Sequence, residues 1–308
     1  MRGQRASLVE MTSHWREINE TNRLNLAQVE RKVSLALLVL IFLFSGCEQL
    51  NKLTVGPSSS SIDNELGGGG DVFELVSDHV LFADNTIANT GIGYDSLRNQ
   101  MIFAAWDSKI DRNFLRITDM DLKHLCDIEL NGKIRFLQGV TYEKERDLIW
   151  VWGTRPNAPF AEWTDCFGLY GFDAYGVLRD ELTVPMAEWY PGMIAYAGNG
   201  RMWMKANTKT TARLYDMKLG MALVKEVETG IGGEGIASDE EGNIWVHGGC
   251  KVKMVNPNTE ESREFTSPNE WCAEEGMTFD GQGHLWLGSD DGYHFNLEGG
   301  NHVWKMRV

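Results

Sequence analysis

Positive charge is scarce in this chain: 29 lysines and arginines stand against 44 aspartates and glutamates, for a net charge of −15. Residues 1–46 hold six of the basic and four of the acidic side chains, so the remainder carries −17. A field of that sign repels phosphate backbones and anionic lipid surfaces and concentrates cations, which argues against nucleic acid as a partner. Long hydrophobic runs are missing too. The longest, Val33–Phe44 (VSLALLVLIFLF), has twelve residues, whereas a helix needs about 20 to cross a hydrocarbon core. Catalytic signatures are equally absent. Seven histidines are scattered at positions 14, 79, 124, 247, 284, 294 and 302 without HExxH or other ligand spacing. There is no glycine-rich phosphate loop and no serine nucleophile elbow.

What the short apolar run does fit is a targeting segment. It follows Arg31-Lys32 directly and is followed by the small residues Ser45-Gly46, the pattern of a cleaved signal peptide over residues 1–46. The adjoining Phe44-Ser45-Gly46-Cys47 resembles the bacterial lipobox, with Phe44 in place of the usual leucine. That resemblance implies lipidation of Cys47 and a place in the bacterial cell envelope, anchored to the membrane through the lipid. Residues 47–70 contain Pro57, Ser58–Ser61 and Gly67–Gly70, a composition that cannot bury a core and reads as a flexible tether. About 24 such residues reach roughly 25–30 Å at 5–6 Å × √n. The folded domain is then expected over residues 71–308.

That domain repeats one phrase five times. Gly235–Val246 reads GIASDEEGNIWV and Gly276–Gly288 reads GMTFDGQGHLWLG, with looser copies from Gly91, Gly139 and Gly192. The glycines lie 48, 53, 43 and 41 residues apart, and an aromatic follows each by ten to twelve residues: Phe103, Trp150, Trp203, Trp245 and Trp286. Each copy is an apolar run, a turn such as Glu241-Gly242-Asn243, and an alternating second run. This is a strand hairpin, and third and fourth strands follow. A period in this range made of such units predicts an all-β propeller of four-stranded blades. Five blades are expected, with the aromatics packing between them. Asp71–Thr90 is expected either to complete the last blade or to be the remnant of a sixth. In the last repeat the third and fourth strands are predicted at Tyr293–Leu297 and Val303–Val308.

The two C-terminal repeats resemble the NHL, streptogramin-lyase and gluconolactonase-like group of propellers. The shared wording is Gly235-Ile236-Ala237, Asp239 and Gly242-Asn243-Ile244-Trp245-Val246, extending through Lys251–Glu264. In gluconolactonase-like enzymes a glutamate before a similar glycine helps hold a divalent metal. The resemblance therefore implies metal-binding roles for Glu234 and Glu275, with Ca2+ as the ion. The proline that follows the glycine in that family is replaced here by Ile236 and Met277, and its asparagine and aspartate ligands have no evident counterparts.

Function is expected where the inner strands begin, because that face collects the residue before each repeat glycine: Thr90, Gln138, Pro191, Glu234 and Glu275. Three Glu-Trp pairs fall in loops assigned to the same face and bring Trp163, Trp189 and Trp271. Aromatics beside carboxylates suit stacking on sugar rings or anchoring a partner. Cys250 at the end of one strand and Cys272 in the next connection are predicted to form a disulfide, which an envelope compartment permits. The residues thus favour a non-catalytic, lipid-anchored binding protein for an envelope protein, peptide or glycan. The alternative is a divalent-metal-dependent hydrolase or lactonase.

Overall fold

A computed structural model describes residues 71–155, 167–184, 191–206, 209–233, 235–248, 250–266, 274–290 and 300–308. The predicted signal peptide, Cys47 and the tether lie outside the described residues. No helix among the described residues is long and apolar enough to cross a membrane.

The chain opens with β1 (Asp71–Val72) and β2 (Glu74–Phe82), and then builds blades in order. The first blade is β3 (Ile87–Asp95), β4 (Gln100–Asp107), β5 (Arg112–Thr118) and β6 (His124–Glu129). The second is β7 (Arg135–Glu143), β8 (Leu148–Thr154), β9 (Phe167–Phe172) and β10 (Leu178–Thr183). The third is β11 (Pro191–Tyr196), β12 (Arg201–Ala206), β13 (Thr211–Asp216) and β14 (Ala222–Glu228). The fourth is β15 (Ile236–Ser238), β16 (Ile244–Gly248), β17 (Lys251–Val255) and β18 (Ser262–Thr266). The fifth combines β19 (Glu274–Phe279), β20 (His284–Ser289) and β21 (Asn301–Arg307) with the N-terminal β2. Five four-stranded antiparallel blades therefore form the ring, with no sixth among the described residues.

Closure corrects one prediction. The Val303–Val308 stretch belongs to the third strand of its blade, not the fourth, because β21 pairs with β20 on one side and β2 on the other. Tyr293–Leu297 lies outside the described residues. β2 supplies the outer strand in antiparallel register from Glu74↔Arg307 to Phe82↔Asn301, which joins the two ends of the domain. β1 adds a short parallel strand to the outer edge of the fourth blade at Asp71↔Phe265.

The five inner strands surround a channel. At its hairpin end a cavity of about 160 Å³ is lined by one or more residues from each, including Tyr94, Thr141, Ala195, Ser238 and Thr278. The repeat glycines explain how the strands come so close. A Cβ on Gly276 would lie 2.9 Å from Gly91 Cα, and one on Gly91 would lie 2.8 Å from Gly139 Cα.

Each inner strand turns into the second strand through a hairpin with a positive-φ residue: Asn99, Asp147, Gly242 and Gly283 singly, and Gly198, Asn199 and Gly200 together in the third blade. Glycine and asparagine tolerate that conformation best, so the turn chemistry read from Gly242 and Gly283 was local information. The repeated tryptophans are buried and pack toward the following blade. Trp150 meets Ile194 and Met202, Trp203 meets Ile236 and Ile244, and Trp245 meets Met277 and Leu285. Trp286 meets Ile92 and Met101 of the first blade. Phe103 breaks the series. It clusters with Trp286, facing backward, while its neighbour Ile102 faces the second blade. A strand alternates faces at every residue. Phe103 sits opposite Ile92, the residue next to its repeat glycine, whereas Trp150, Trp245 and Trp286 sit opposite the residue after that, so Phe103 faces the other side.

Ion pairs tie neighbouring hairpins together. Arg98 reaches across to Asp147 through two hydrogen bonds of 2.7 and 2.6 Å while also holding Asp95 at 2.8 Å. The Tyr142 hydroxyl donates to Asp147 at 2.7 Å. The Arg98 guanidinium, aided by Tyr142, holds the Asp147 carboxyl down to about 2. In an NMR titration Asp147 is accordingly expected to stay ionised to about pH 2, and Arg98→Met should return it toward the ordinary value near 3.9. An unchanged titration in the variant would remove Arg98 as the cause.

Candidate functional site

The end of the channel where inner strands begin is built differently from the hairpin end. Four of the five inner strands carry a register shift there: between Asn89 and Gly91, Gln138 and Val140, Pro191 and Met193, and Glu274 and Gly276. Bulges of this kind bend a strand and re-aim its side chains, and they concentrate beside functional sites. They skip the residue before the repeat glycine at Thr90 and Glu275, and the glycine itself at Gly139 and Gly192.

The structure brings three of the sequence-predicted positions together. Because Gly276 abuts Gly91 and Gly91 abuts Gly139, the preceding residues Glu275, Thr90 and Gln138 stand side by side around the mouth. Glu275, Thr90 and Gln138 are each half-buried. Glu234, Trp163, Trp189 and Trp271 lie outside the described residues. Cys250 is half-buried, adopts φ 63° and is disulfide-bonded. Its predicted partner Cys272 lies outside the described residues, and Cys126 is free and exposed.

Polar atoms with unmet hydrogen-bonding capacity gather at this same end. Both amide atoms of Asn89, the Thr90 hydroxyl, the Trp152 indole N–H and the Asn301 Oδ1 are buried with no partner. Asn89, Trp152 and Asn301 are fully buried side chains. Asn301 is oriented by its other amide atom, whose Nδ2 donates to the Ile87 carbonyl at 2.6 Å. Asn89 lies against the fifth blade, since a Cβ on Gly288 would fall 2.4 Å from its Nδ2. Trp152 is paired in register with Gln138 and stacks on Phe167 at 5.5 Å. Leaving one such group unpaired costs on the order of 1–3 kcal/mol, so a concentration of them marks a place where another molecule completes the bonds.

A buried cation belongs to the same end. Lys205 is fully buried at the end of β12, and its Nζ donates to the carbonyls of Gly233 and, at 3.3 Å, Lys209. It anchors the Thr229–Gly233 approach to the fourth blade. Sequence reading missed Asn89, Trp152, Lys205 and Asn301. Asn89-Thr90 stands directly before a repeat glycine, and that position was the available signal. Nothing local distinguishes Asn301 or Lys205 from ordinary strand residues.

The hairpin end presents the opposite condition. There three carboxylates accept hydrogen bonds from within the chain. Glu143, Asp239 and Asp280 accept the indole N–H of Trp150, Trp245 and Trp286 at 2.7, 2.7 and 3.0 Å. Asp280 also accepts backbone N–H groups of Gln282 and His284 at 2.8 and 3.0 Å. These are hairpin-forming carboxylates.

Calcium takes six to eight oxygen ligands. Among the described residues no three His, Cys, Asp or Glu side chains come together in a way that would hold a metal. Asn89 moreover offers an unmet donor as well as an unmet acceptor, and a bare cation satisfies only the acceptor. The described part of the mouth does not fit a calcium cage.

The fold and this site define the class: a five-bladed β-propeller with a hydrogen-bonding mouth where its inner strands begin. Among solved structures it is similar to glutaminyl cyclase from Myxococcus xanthus, with 13% identity over 77% of this chain and 96% of that one and a TM-score of 0.53. Gluconolactonase from Xanthomonas campestris aligns at 13% identity over 76% and 91% of the two chains, with a TM-score of 0.46. Virginiamycin B lyase from Staphylococcus aureus aligns at 12% over 77% and 100%, with a TM-score of 0.45. At such identities the likeness shows the fold alone. No protein-family model and no curated protein matches the sequence.

Proposed function

We propose that this protein is a lipid-anchored propeller of the bacterial cell envelope that binds a peptide, protein or glycan at the mouth where its inner strands begin, without transforming it. The observation that supports this reading is the gathering of unmet donors and acceptors at Asn89, Thr90, Trp152 and Asn301. Asn89 requires a partner that both donates and accepts, as a peptide group or a sugar hydroxyl does. The mouth combines neutral hydrogen-bonding groups with the single carboxylate of Glu275 among its three neighbouring positions, which suits recognition of a neutral polar ligand. The Cys47 lipid holds the domain at a membrane surface that its own acidic charge would otherwise avoid.

The test is a panel of envelope peptides and glycan fragments titrated onto the full-length protein in detergent, followed by calorimetry. At least one member is expected to bind, and Asn89→Ala and Thr90→Val should each weaken it about tenfold, the equivalent of one hydrogen bond of about 1.4 kcal/mol. Recovered ligand should be chemically unchanged by mass spectrometry, and chelation of calcium should leave affinity and melting temperature as they were. Affinity untouched by both substitutions places the ligand elsewhere and ends the reading. A product, or a calcium-dependent melting shift, supports the hydrolase instead. Palmitate labelling that survives Cys47→Ser would remove the anchor.

A further inference from the structure

The repeats carry a second constellation, at the hairpin end, that is complete in two blades and incomplete in a third. In the second blade Glu143 accepts the Trp150 indole N–H at 2.7 Å, and Arg146 pairs with Glu143 at 2.8 Å while its guanidinium carbon lies 5.3 Å from the Trp150 ring centroid. In the fifth blade Asp280 accepts from Trp286 at 3.0 Å, and Lys305 lies 3.4 Å from Asp280 and 5.0 Å from the Trp286 centroid. A carboxylate, an indole and a cation thus form one unit. The cation comes from the hairpin in one case and from the third strand in the other. The indole face is electron-rich and the carboxylate is anionic, so both attract the same positive group.

The fourth blade has the first two members and lacks the third. Asp239 accepts the Trp245 indole N–H at 2.7 Å. The hairpin that supplies Arg146 in the second blade here reads Glu240-Glu241-Gly242. The third-strand position is also vacated: Trp286 pairs in register with Lys305, whereas Trp245 pairs with Met254. Among the described residues no cation pairs with Asp239 or sits over Trp245. Arg263 is nearby but lies over Phe265, 5.3 Å from that ring.

The space is open. A cavity of about 330 Å³ lies between the fourth and fifth blades, with Trp245, Phe279 and Met254 along its walls and Asp239, Glu240 and Glu241 among its acids. Phe279 stands edge-on to Trp245 at 5.4 Å, which makes an aromatic corner. Arg263 borders the same cavity, so three carboxylates of the hairpin face one guanidinium. The chain's net charge of −15 favours approach of a positive group.

We propose that this cleft binds an ammonium or guanidinium group from outside the chain, which takes the place that Lys305 and Arg146 occupy in their own blades. The source is either a lysine or arginine side chain of a protein partner or a free small amine. The site is on the face opposite the mouth and stands independently of the function proposed for that mouth.

The Trp245 indole N–H signal of the full-length protein reports occupancy. Blocked lysine (Nα-acetyl-lysine amide), blocked arginine and the neutral isostere blocked norleucine are titrated in turn, alongside ethylammonium for the free-amine source. Blocked lysine or arginine is expected to shift the signal saturably, and norleucine is not. Stronger binding of ethylammonium than of both blocked residues assigns the free amine, and the reverse order assigns a side chain. Met254→Lys rebuilds the fifth-blade arrangement inside the fourth blade. It should abolish binding at least tenfold while the melting temperature holds or rises. Glu240→Gln with Glu241→Gln, which alters only exposed side chains, should weaken binding severalfold and flatten its salt dependence. Equal binding of norleucine overturns the proposal. So does a Met254→Lys protein that folds and binds as wild type, or, should that variant not fold, undiminished binding in the double glutamine variant.

Discussion

Gly91→Ala is expected to lower the melting temperature by about 10 °C, from a loss of about 3 kcal/mol at roughly 2–4 °C per kcal/mol for a domain of this size. The new Cβ would stand 2.8 Å from Gly139 Cα and 2.9 Å from Val140 N. Both are backbone atoms of the next inner strand and have no rotamer into which to retreat. Relief requires the first and second blades to separate around the channel, and the same ring contacts recur at Gly276 against Gly91. Gly198→Ala is the control. It sits at φ 79° in a hairpin with nothing within 4 Å of the added carbon, so its cost is conformational and near 1 kcal/mol. Thermal melts in which Gly91→Ala costs no more than Gly198→Ala would show that the inner strands are not held at glycine contact distance.

The second large effect is expected at Asp280. Its side chain is almost fully buried and accepts from the Trp286 indole, two backbone N–H groups of its own hairpin and the Lys305 ammonium. Asp280→Ala leaves all of these without an acceptor and strands a half-buried cation, at a cost of about 4 kcal/mol. Burial works to raise the carboxyl, but the Trp286, His284 and Gln282 donors and Lys305 outweigh it, and the group lies below the usual carboxylate range. The sign of the pH dependence follows. With a folded value below the unfolded value near 3.9, the carboxylate stabilises the fold fully above that pH and loses its contribution as pH falls through the folded value. Asp280→Asn should therefore trail wild type by a margin at pH 7 that narrows by pH 3. A margin that stays constant across that range would mean that the charge itself contributes nothing.

The hairpin end was nearly transparent in the residues, because everything that builds it is near in sequence. Asp239 and Trp245 are six positions apart, as are Asp280 and Trp286, and Gly242 and Gly283 sit between them in the turns. A carboxylate, a turn residue of positive φ and an indole at fixed offsets constitute one local unit, so repetition displays them. Even so, the carboxylate's role as acceptor for the tryptophan is visible only in the folded hairpin. The mouth was legible by position and not by chemistry. The repeats pointed to Thr90, Gln138 and Glu275, and the ring set them side by side. Asn301 joins them from a strand more than 200 residues away in sequence from Ile87, whose carbonyl it holds.

The sequence alone determined the blade, the number of its copies, the packing role of its tryptophans and the acidity of the whole. Each of these rests on local periodicity or composition, which a linear chain displays in full. Tertiary structure decided four things that no local pattern encodes. It placed Asn301–Arg307 third in its blade by bringing β2 in as the fourth strand, and it turned Phe103 back toward Trp286 of the fifth blade. It also gathered the unmet polar atoms at one end of the channel and, among the described residues, left the fourth blade's tryptophan without a cation. The strand order and the gathered polar atoms depend on closing a ring, and closure is a contact between ends of the chain that lie far apart in sequence.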